Sequence, residues 1–376
     1  MARVGMIDFF DYRPQLDRYR DEFDAAIARV LDSGRLILGE EVEAFEEEFA
    51  RFVGVAHAVG VGTGTDALTL SLRALGVGEG DEVVTVANAG VAPIAAIRAS
   101  GASLRLVDVD PDTLLLDPTR LAAALGPTTR AIVAVHLYGN PVDLDAVLDV
   151  ASSRGIPVVE DCAQAHGARW QGRSVGGFGC MGCFSFYPTK NIGAFGDGGI
   201  CVTDDSDRAA RIREQRMYGF HGDGFAHVEG RNSRLDELQA AVLRVKLAHF
   251  EADLAERRAL AELYASELEG APVVPVSGSG DGEHAYHLFV VRSSIRESIQ
   301  AALEEARIGS AIHYPVPVHK MDAYSFLDRP GELEISEQAS QEVLSLPLYP
   351  GLSQEAVGEV GRVLCESPGG LKSSRP

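Results

Sequence analysis

"IPVVEDCAQAHGA", residues 156–168, is an apolar run that stops on two acids and gives way to small residues and glycine. It reads as a strand because its neighbours repeat the pattern: "DEVVTVA" (81–87), "SLRLVDV" (103–109), "RAIVAVHLY" (130–138), "CFSFYP" (183–188) and "GGICVT" (198–203). Helical or loop segments at 93–100, 118–125 and 143–153 separate them. Continuous Val and Ile mark strands buried on both faces, as in parallel sheets covered by helices. The expected fold class is therefore α/β with a mostly parallel sheet.

Working outward, residues 14–31 and 40–52 read as acidic amphipathic helices; Val42, Phe45, Phe49 and Phe52 share one face before Gly54. "HAVGVGTG" (57–64) is a strand entering a glycine turn, and "TDALTLSLRALG" (65–76) a helix with Leu68, Leu72 and Leu75 together. Residues 231–270 read as one long helix or two in succession, followed by a Pro/Gly/Ser-rich crossing at 271–284. A strand in "AYHLFVVR" (285–292), a helix near 296–307 and "SAIHYPVPVH" (310–319) suggest a smaller C-terminal α/β unit. The expected division is 1–248, a large domain with an N-terminal helical arm, and 249–376, with a disordered tail at 366–376.

The 34 basic and 55 acidic residues leave a net charge of −21, which disfavours nucleic acid and anionic membranes but not a small anionic substrate. The N-terminal residues lack a signal-peptide pattern, and no stretch approaches 18 uninterrupted apolar residues, so the cytoplasm is the expected compartment. Five cysteines form no even framework. "CMGC" (180–183) has redox or zinc spacing without a second pair, so all five are read as packing residues and no metal is expected.

Three signals fall where strands end, the place at which open α/β sheets bind ligands. "GVGTGTDAL" (60–68) misses the dinucleotide fingerprint because Thr65 stands where a third glycine belongs. What remains is a helix N-terminus at Gly64, Thr65 and Asp66, suited to a phosphate or, more simply, a turn capped by Thr or Asp. Glu160 and Asp161 are the second signal. Alternation sends one of them inward, where it needs a cationic partner, unless it merely caps the following turn. The third is "SFYPTKNIGAFGDGG" (185–199). Its Lys190 is the first lysine in the chain, the next being Lys246, and it sits among aromatics and glycines. Such a lysine either snorkels to water or loses its charge by becoming an imine. Together the signals fit pyridoxal 5′-phosphate: helix N-terminus and Ser185 for phosphate, Asp161 for the pyridine nitrogen, Lys190 for the covalent link. Asp161 is expected to matter more than Glu160, whose neutralisation should be mild.

The chain resembles the DegT/DnrJ/EryC1/StrS family of sugar aminotransferases, from about residue 25 to 365. The resemblance is carried by "ILGEEVEAFEEEFA", "VGTGTDALTLSLRALGVGEGDEVVT", "VHLYGNPVDLDAV", "VVEDCAQAHGA", "CFSFYPTKNIGAFGDGG", "NSRLDELQAAVL" and "IHYPVPVH". It implies a fold-type I aminotransferase using pyridoxal 5′-phosphate, with Lys190 as the imine lysine and Asp161 as the pyridinium partner. It further implies Gln164 beside the phenolic oxygen, Ser185 on the phosphate, and Asn232 reaching the phosphate of a neighbouring subunit in a homodimer with shared sites. On the residues alone, Asn232 could equally cap its own long helix. Tyr187, His313 and Tyr314 match positions lining a sugar-nucleotide pocket. The family usually has a ring-stacking aromatic within "VANAGVAP" (86–93); here Gly90 stands in its place, and no stacking residue is assigned.

The resemblance implies transfer of an amino group from glutamate to a nucleotide-linked keto-sugar, most closely a dTDP-3-keto-6-deoxyhexose. A cyclitol ketone, a 4-keto nucleotide sugar and a non-catalytic cofactor-binding regulator stay open. A dehydratase on this scaffold would replace the lysine by histidine, and Lys190 argues against it.

Overall fold

The apolar runs form the strands of one sheet: β1 (His57–Val61), β2 (Glu82–Val86), β3 (Ser103–Val107), β4 (Thr129–Val135), β5 (Val158–Asp161), β8 (Met181–Ser185) and β9 (Gly199–Thr203). Their order is β1-β9-β8-β5-β4-β2-β3. Only β9 runs antiparallel to its neighbours β1 and β8. The remaining pairs are parallel, with Asp161 of β5 in register with Val135 on one side and Cys183 on the other. Two-residue strands β6 (Arg169–Trp170) and β7 (Arg173–Ser174) form a separate small sheet with Gly282–Glu283. This computed structural model describes residues 6–367 and Gly370. Of the tail 366–376, all but Glu366, Ser367 and Gly370 lies outside the described residues.

The helices include α1 (Arg13–Arg18), α2 (Arg20–Ser33), α3 (Glu40–Val53), α4 (Gly64–Ala74), α5 (Ala92–Ser100), α6 (Pro118–Ala124), α7 (Leu144–Ser152), α8 (Ser206–Gln215) and α9 (Glu237–Glu267). The stretch read as one helix or two is a single helix, α9, of 31 residues. Its first turn closes another helix: the Glu237 carboxylate accepts the amides of Gly39 (2.7 Å), Glu41 (3.0 Å) and Val42 (3.0 Å) at the start of α3.

Residue 248, where the sequence suggests a division, falls inside α9, which serves two cores. Phe250 and Leu254 pack with the large sheet, whereas Leu260, Ala261 and Tyr264 pack with Phe289–Arg292 and Val343–Leu346, strands of a second sheet completed by Val274–Pro275. Ile7 of the N-terminal arm joins that second core. "SAIHYPVPVH" contributes no strand, only an isolated bridge from Ala311 to Ser345, and leads its irregular backbone back toward the large sheet. Among the described residues no helix is long and apolar enough to cross a membrane.

Candidate active site

The acid pair at the end of β5 divides between two tasks. Glu160 is fully buried and its carboxylate accepts the amides of Gly176 (2.7 Å), Phe178 (2.8 Å) and Gly179 (2.6 Å), with His136 Nε2 at 3.1 Å. Val142 N–H donates to His136 Nδ1, so Nε2 carries the proton given to Glu160. Burial alone would raise this carboxyl, but His136 and the amides of Gly179 and Gly176 hold it below its ordinary value. Glu160 thus ties a glycine-rich turn to the sheet. Its neutralisation is expected to strike stability, whatever its effect on turnover.

Asp161 alternates to the other side. It too is buried, yet among the described residues it takes one side-chain hydrogen bond, from Ala163 N–H to Oδ1 at 3.0 Å. Burial raises its pKa, opposed by that amide and by the charge of Lys190. An under-satisfied carboxylate at a strand end is stabilised by a cation held against it.

Lys190 lies in a loop whose backbone is pinned by its own amide to Tyr187 O (2.8 Å) and by Ala194 N–H to Phe186 O (2.8 Å). No described residue hydrogen-bonds its ammonium, and burial pushes its pKa down to about 8 while Asp161 opposes the shift. His166 and His313 feel the same lysine charge; burial first, and Lys190 second, lower them to about 3 and about 4. Both are therefore neutral near pH 7, leaving Lys190 and Asp161 as the opposed charges of the site.

The expected phosphate cradle is a close-packed junction. An added Cβ on Gly64 would lie 2.6 Å from Ser185 Cβ and 3.1 Å from Ser185 Oγ, so glycine is what lets the N-terminus of α4 touch the end of β8. Thr63 is the N-cap, its Oγ1 accepting the Asp66 amide at 3.0 Å. This corrects the expected role of Asp66. Its amide is spent on Thr63, and its carboxylate accepts from Arg231 Nη1 (2.7 Å) and Ser233 Oγ (2.8 Å). Asp66 positions the 231–233 segment instead of facing an anion, while the amides of Gly64 and Thr65 stay at the open helix end.

Asn232, between those two anchored residues, is exposed and forms an isolated bridge with Met217. It does not cap α9, whose N-cap is Asp236. Tyr187 is exposed. Gln164 Oε1 accepts the Tyr138 amide (2.6 Å), which obliges Nε2 to donate, and it donates to the Tyr314 hydroxyl at 3.2 Å. Tyr138 donates its hydroxyl to the His313 carbonyl (2.6 Å), and His313 Nδ1 pairs with Ser345 Oγ (2.9 Å). Sequence reasoning left the cap open between Thr and Asp, and it missed Tyr138, a tyrosine at φ 63°, a conformation no residue-type signal suggests.

Lys190, Asp161, Gln164, Ser185, Gly64 and Thr65 fit a phosphorylated pyridine aldehyde: an amine near neutrality, a carboxylate short of partners, and amides beside a hydroxyl. Cys180 and Cys183 donate their thiols separately, to Val158 O (3.1 Å) and Ser71 Oγ (3.2 Å). A cleft of about 680 Å³ lined by Glu22, Arg29, Glu48 and Arg244 lies elsewhere, and those two arginines already pair with Glu41 and Glu48.

Known proteins resemble this chain along nearly its whole length. The model of the DegT/DnrJ/EryC1/StrS aminotransferase family matches residues 17–364. A dTDP-3-amino-3,4,6-trideoxy-alpha-D-glucose transaminase of Streptomyces venezuelae is 46% identical over 356 residues, 94% of each chain. A dTDP-3-amino-3,6-dideoxy-alpha-D-galactopyranose transaminase of Aneurinibacillus thermoaerophilus is 44% identical over 355 residues, 94% of this chain and 98% of that one. The crystal structure of S. venezuelae DesV in complex with a ketimine intermediate superposes with a TM-score of 0.94 at 44% identity, covering 96% of this chain and 98% of the other.

Proposed function

This chain belongs to the DegT/DnrJ/EryC1/StrS aminotransferase family, and we propose that it uses pyridoxal 5′-phosphate to move an amino group from glutamate to C3 of a dTDP-linked 3-keto-6-deoxyhexose. The observation that carries the chemistry is the buried pair of Lys190 and Asp161, each shifted toward its neutral form by burial and each opposed by the other's charge. The substrate follows from what the two similar transaminases share in their names, a dTDP sugar bearing a 3-amino group and lacking the 6-hydroxyl; their differences elsewhere on the ring leave the sugar's stereochemistry open.

When bound, the cofactor carries the amino group and spreads the electron pair of a broken C–H bond into its ring. The chain does the rest. Lys190 Nζ would hold the aldehyde carbon and, as a free amine, would carry the proton between the substrate carbon and the cofactor carbon on the other side of the nitrogen they share. A pKa near 8 suits this work, because the amine is available as base and its conjugate acid is still a competent donor. Asp161 keeps a negative charge opposite the ring nitrogen, and Gln164, aligned by the Tyr138 amide, offers Nε2 to the phenolic oxygen. Ser185 and the amides of Gly64 and Thr65 hold the phosphate. Asn232, held out by Arg231 and Ser233, reaches the phosphate of a second copy, and His313 with Tyr187 borders the sugar nucleotide. The acidic balance and an odd set of five cysteines support a cytoplasmic setting.

The test is incubation with glutamate and, separately, a dTDP-3-keto-6-deoxyhexose, its 4-keto isomer and a keto-inositol, with products read by mass spectrometry. Amination of the 3-keto sugar is expected. Turnover of the cyclitol alone, or of the 4-keto isomer alone, would replace the substrate; cofactor binding without turnover of any would favour a regulator.

A further inference from the structure

Gly90 lies in the loop leaving β2, with φ at 78° and no side chain to fill the space above it. That space is taken. A Cβ on Gly90 would lie 2.9 Å from Tyr314 Cζ, 3.0 Å from Cε2 and 3.2 Å from Cε1, so the hydroxyl end of the ring rests directly on the glycine. Tyr314 comes from the irregular 310–319 segment, far away in sequence. Its hydroxyl accepts from Gln164 Nε2 (3.2 Å), and Asp161 is close enough for its charge to act on that hydroxyl. One aromatic ring therefore bridges the exits of β2 and β5, beside the carboxylate assigned to the ring nitrogen.

We propose that Tyr314 supplies the aromatic wall against which the pyridine ring of the cofactor lies, taking the place left open by Gly90. This rests on the cofactor reading above. The resemblance implies a place for Tyr314 in the sugar pocket; its packing on Gly90 argues for a cofactor-facing role. The two features need each other, since any side chain at residue 90 would displace the ring, and the ring covers what would be a bare glycine backbone. Gln164 fixes the ring's tilt. Because its Oε1 is held by Tyr138, its amide cannot flip, so the tyrosine oxygen is always the acceptor and its own proton remains unspent. The stabilising contribution assigned to Tyr314 is face contact between rings, with the hydroxyl as a guide.

The experiment titrates apoprotein with pyridoxal 5′-phosphate and follows the absorbance of bound cofactor for wild type, Tyr314→Phe, Tyr314→Leu and Tyr314→Ala. Circular dichroism of each apoprotein reports folding. Phe is expected within about threefold of the wild-type dissociation constant, and Leu and Ala to weaken it by about tenfold or more with a shifted absorbance maximum. Wild-type affinity in Leu and Ala would overturn the proposal, as would a loss in Phe as large as in Leu, which would assign the effect to the hydroxyl. If Ala fails to fold, the Phe–Leu comparison decides alone. Failure of the wild type to bind cofactor would instead overturn the cofactor reading itself.

Discussion

Lys190 shows what burial does to a single residue. An ordinary lysine is neutral in fewer than about one molecule in a thousand at pH 7, whereas one titrating near 8 is neutral in about one in ten. The neutral amine is the nucleophile, so capture of pyridoxal 5′-phosphate by the apoprotein should accelerate with pH about a midpoint near 8, not near the ordinary 10.5. Borohydride reduction and peptide mapping at each pH should put the label on residue 190; a label elsewhere contradicts the assignment. Asp161 opposes the shift, so Asp161→Asn should move that midpoint below 8. The acid pair makes a second prediction. Glu160 lies below its ordinary 4.5, so its contribution to stability is present above that pH and lost as pH falls through the lower folded value. Glu160→Gln sets an amide NH₂ against backbone N–H donors and should cost about 2–4 kcal/mol by denaturant unfolding. Asp161 is raised instead, so burial disfavours its ionised form in the apoprotein. Asp161→Asn should leave the apoprotein as stable as wild type or more so, while losing most turnover. Equal destabilisation by the two substitutions would undo the division of roles.

At the scale of elements, the central strands were legible because burial on both faces leaves no polar alternation to confuse them. Each quoted run overlaps its strand, most of them enclosing it, but β4 begins at Thr129 and β8 at Met181, one and two residues before the runs read for them. α9 was ambiguous for a physical reason: it packs against α2 and α3 at one end and Gln354–Glu366 at the other, so no single apolar stripe marks its length. The strand Val343–Leu346 and the charged helix α8 gave no comparable signal. Of the candidate site, Lys190 and Asp161 stand out in the sequence because each is a chemical anomaly in its surroundings, and the fold brings them close enough for each to act on the other's charge. Asp66 misled because a cap and an anion ligand share one residue type, and only the fold reveals Arg231 and Ser233 beside it. The junction of α4 with β8 carries its own prediction. Gly64→Ala drives a methyl to 2.6 Å from Ser185 Cβ, and neither partner there is a flexible side-chain end. The helix N-terminus must withdraw, and affinity for pyridoxal 5′-phosphate should fall by about tenfold or more, with a smaller effect on pyridoxal, which lacks the phosphate. An equal loss for both ligands would mean that the junction does not hold the phosphate.

At the scale of the whole molecule, Asn232 is held in place, yet its side chain hydrogen-bonds to no group among the described residues. Asp66 grips Arg231 and Ser233 on either side, and Ser233 Oγ also accepts the Gly62 amide at 3.0 Å, so the segment is fixed to the phosphate turn. The side chain between them is exposed and caps no helix. A side chain held outward beside a cradle is placed to serve a second copy, and a two-fold axis would make that service reciprocal. Lys190→Ala and Asn232→Ala should each have weak activity alone. Unfolded together and refolded as an equal mixture, they should form hybrids in which one site carries both lesions and the other carries neither. Random pairing makes about half of the dimers hybrid, so about one site in four should recover full turnover. Recovery well above either parent, with hybrids detected by differently tagged chains, is the expected result. Full activity of Asn232→Ala alone, or no recovery although tagged hybrids form, would confine each active site to one chain.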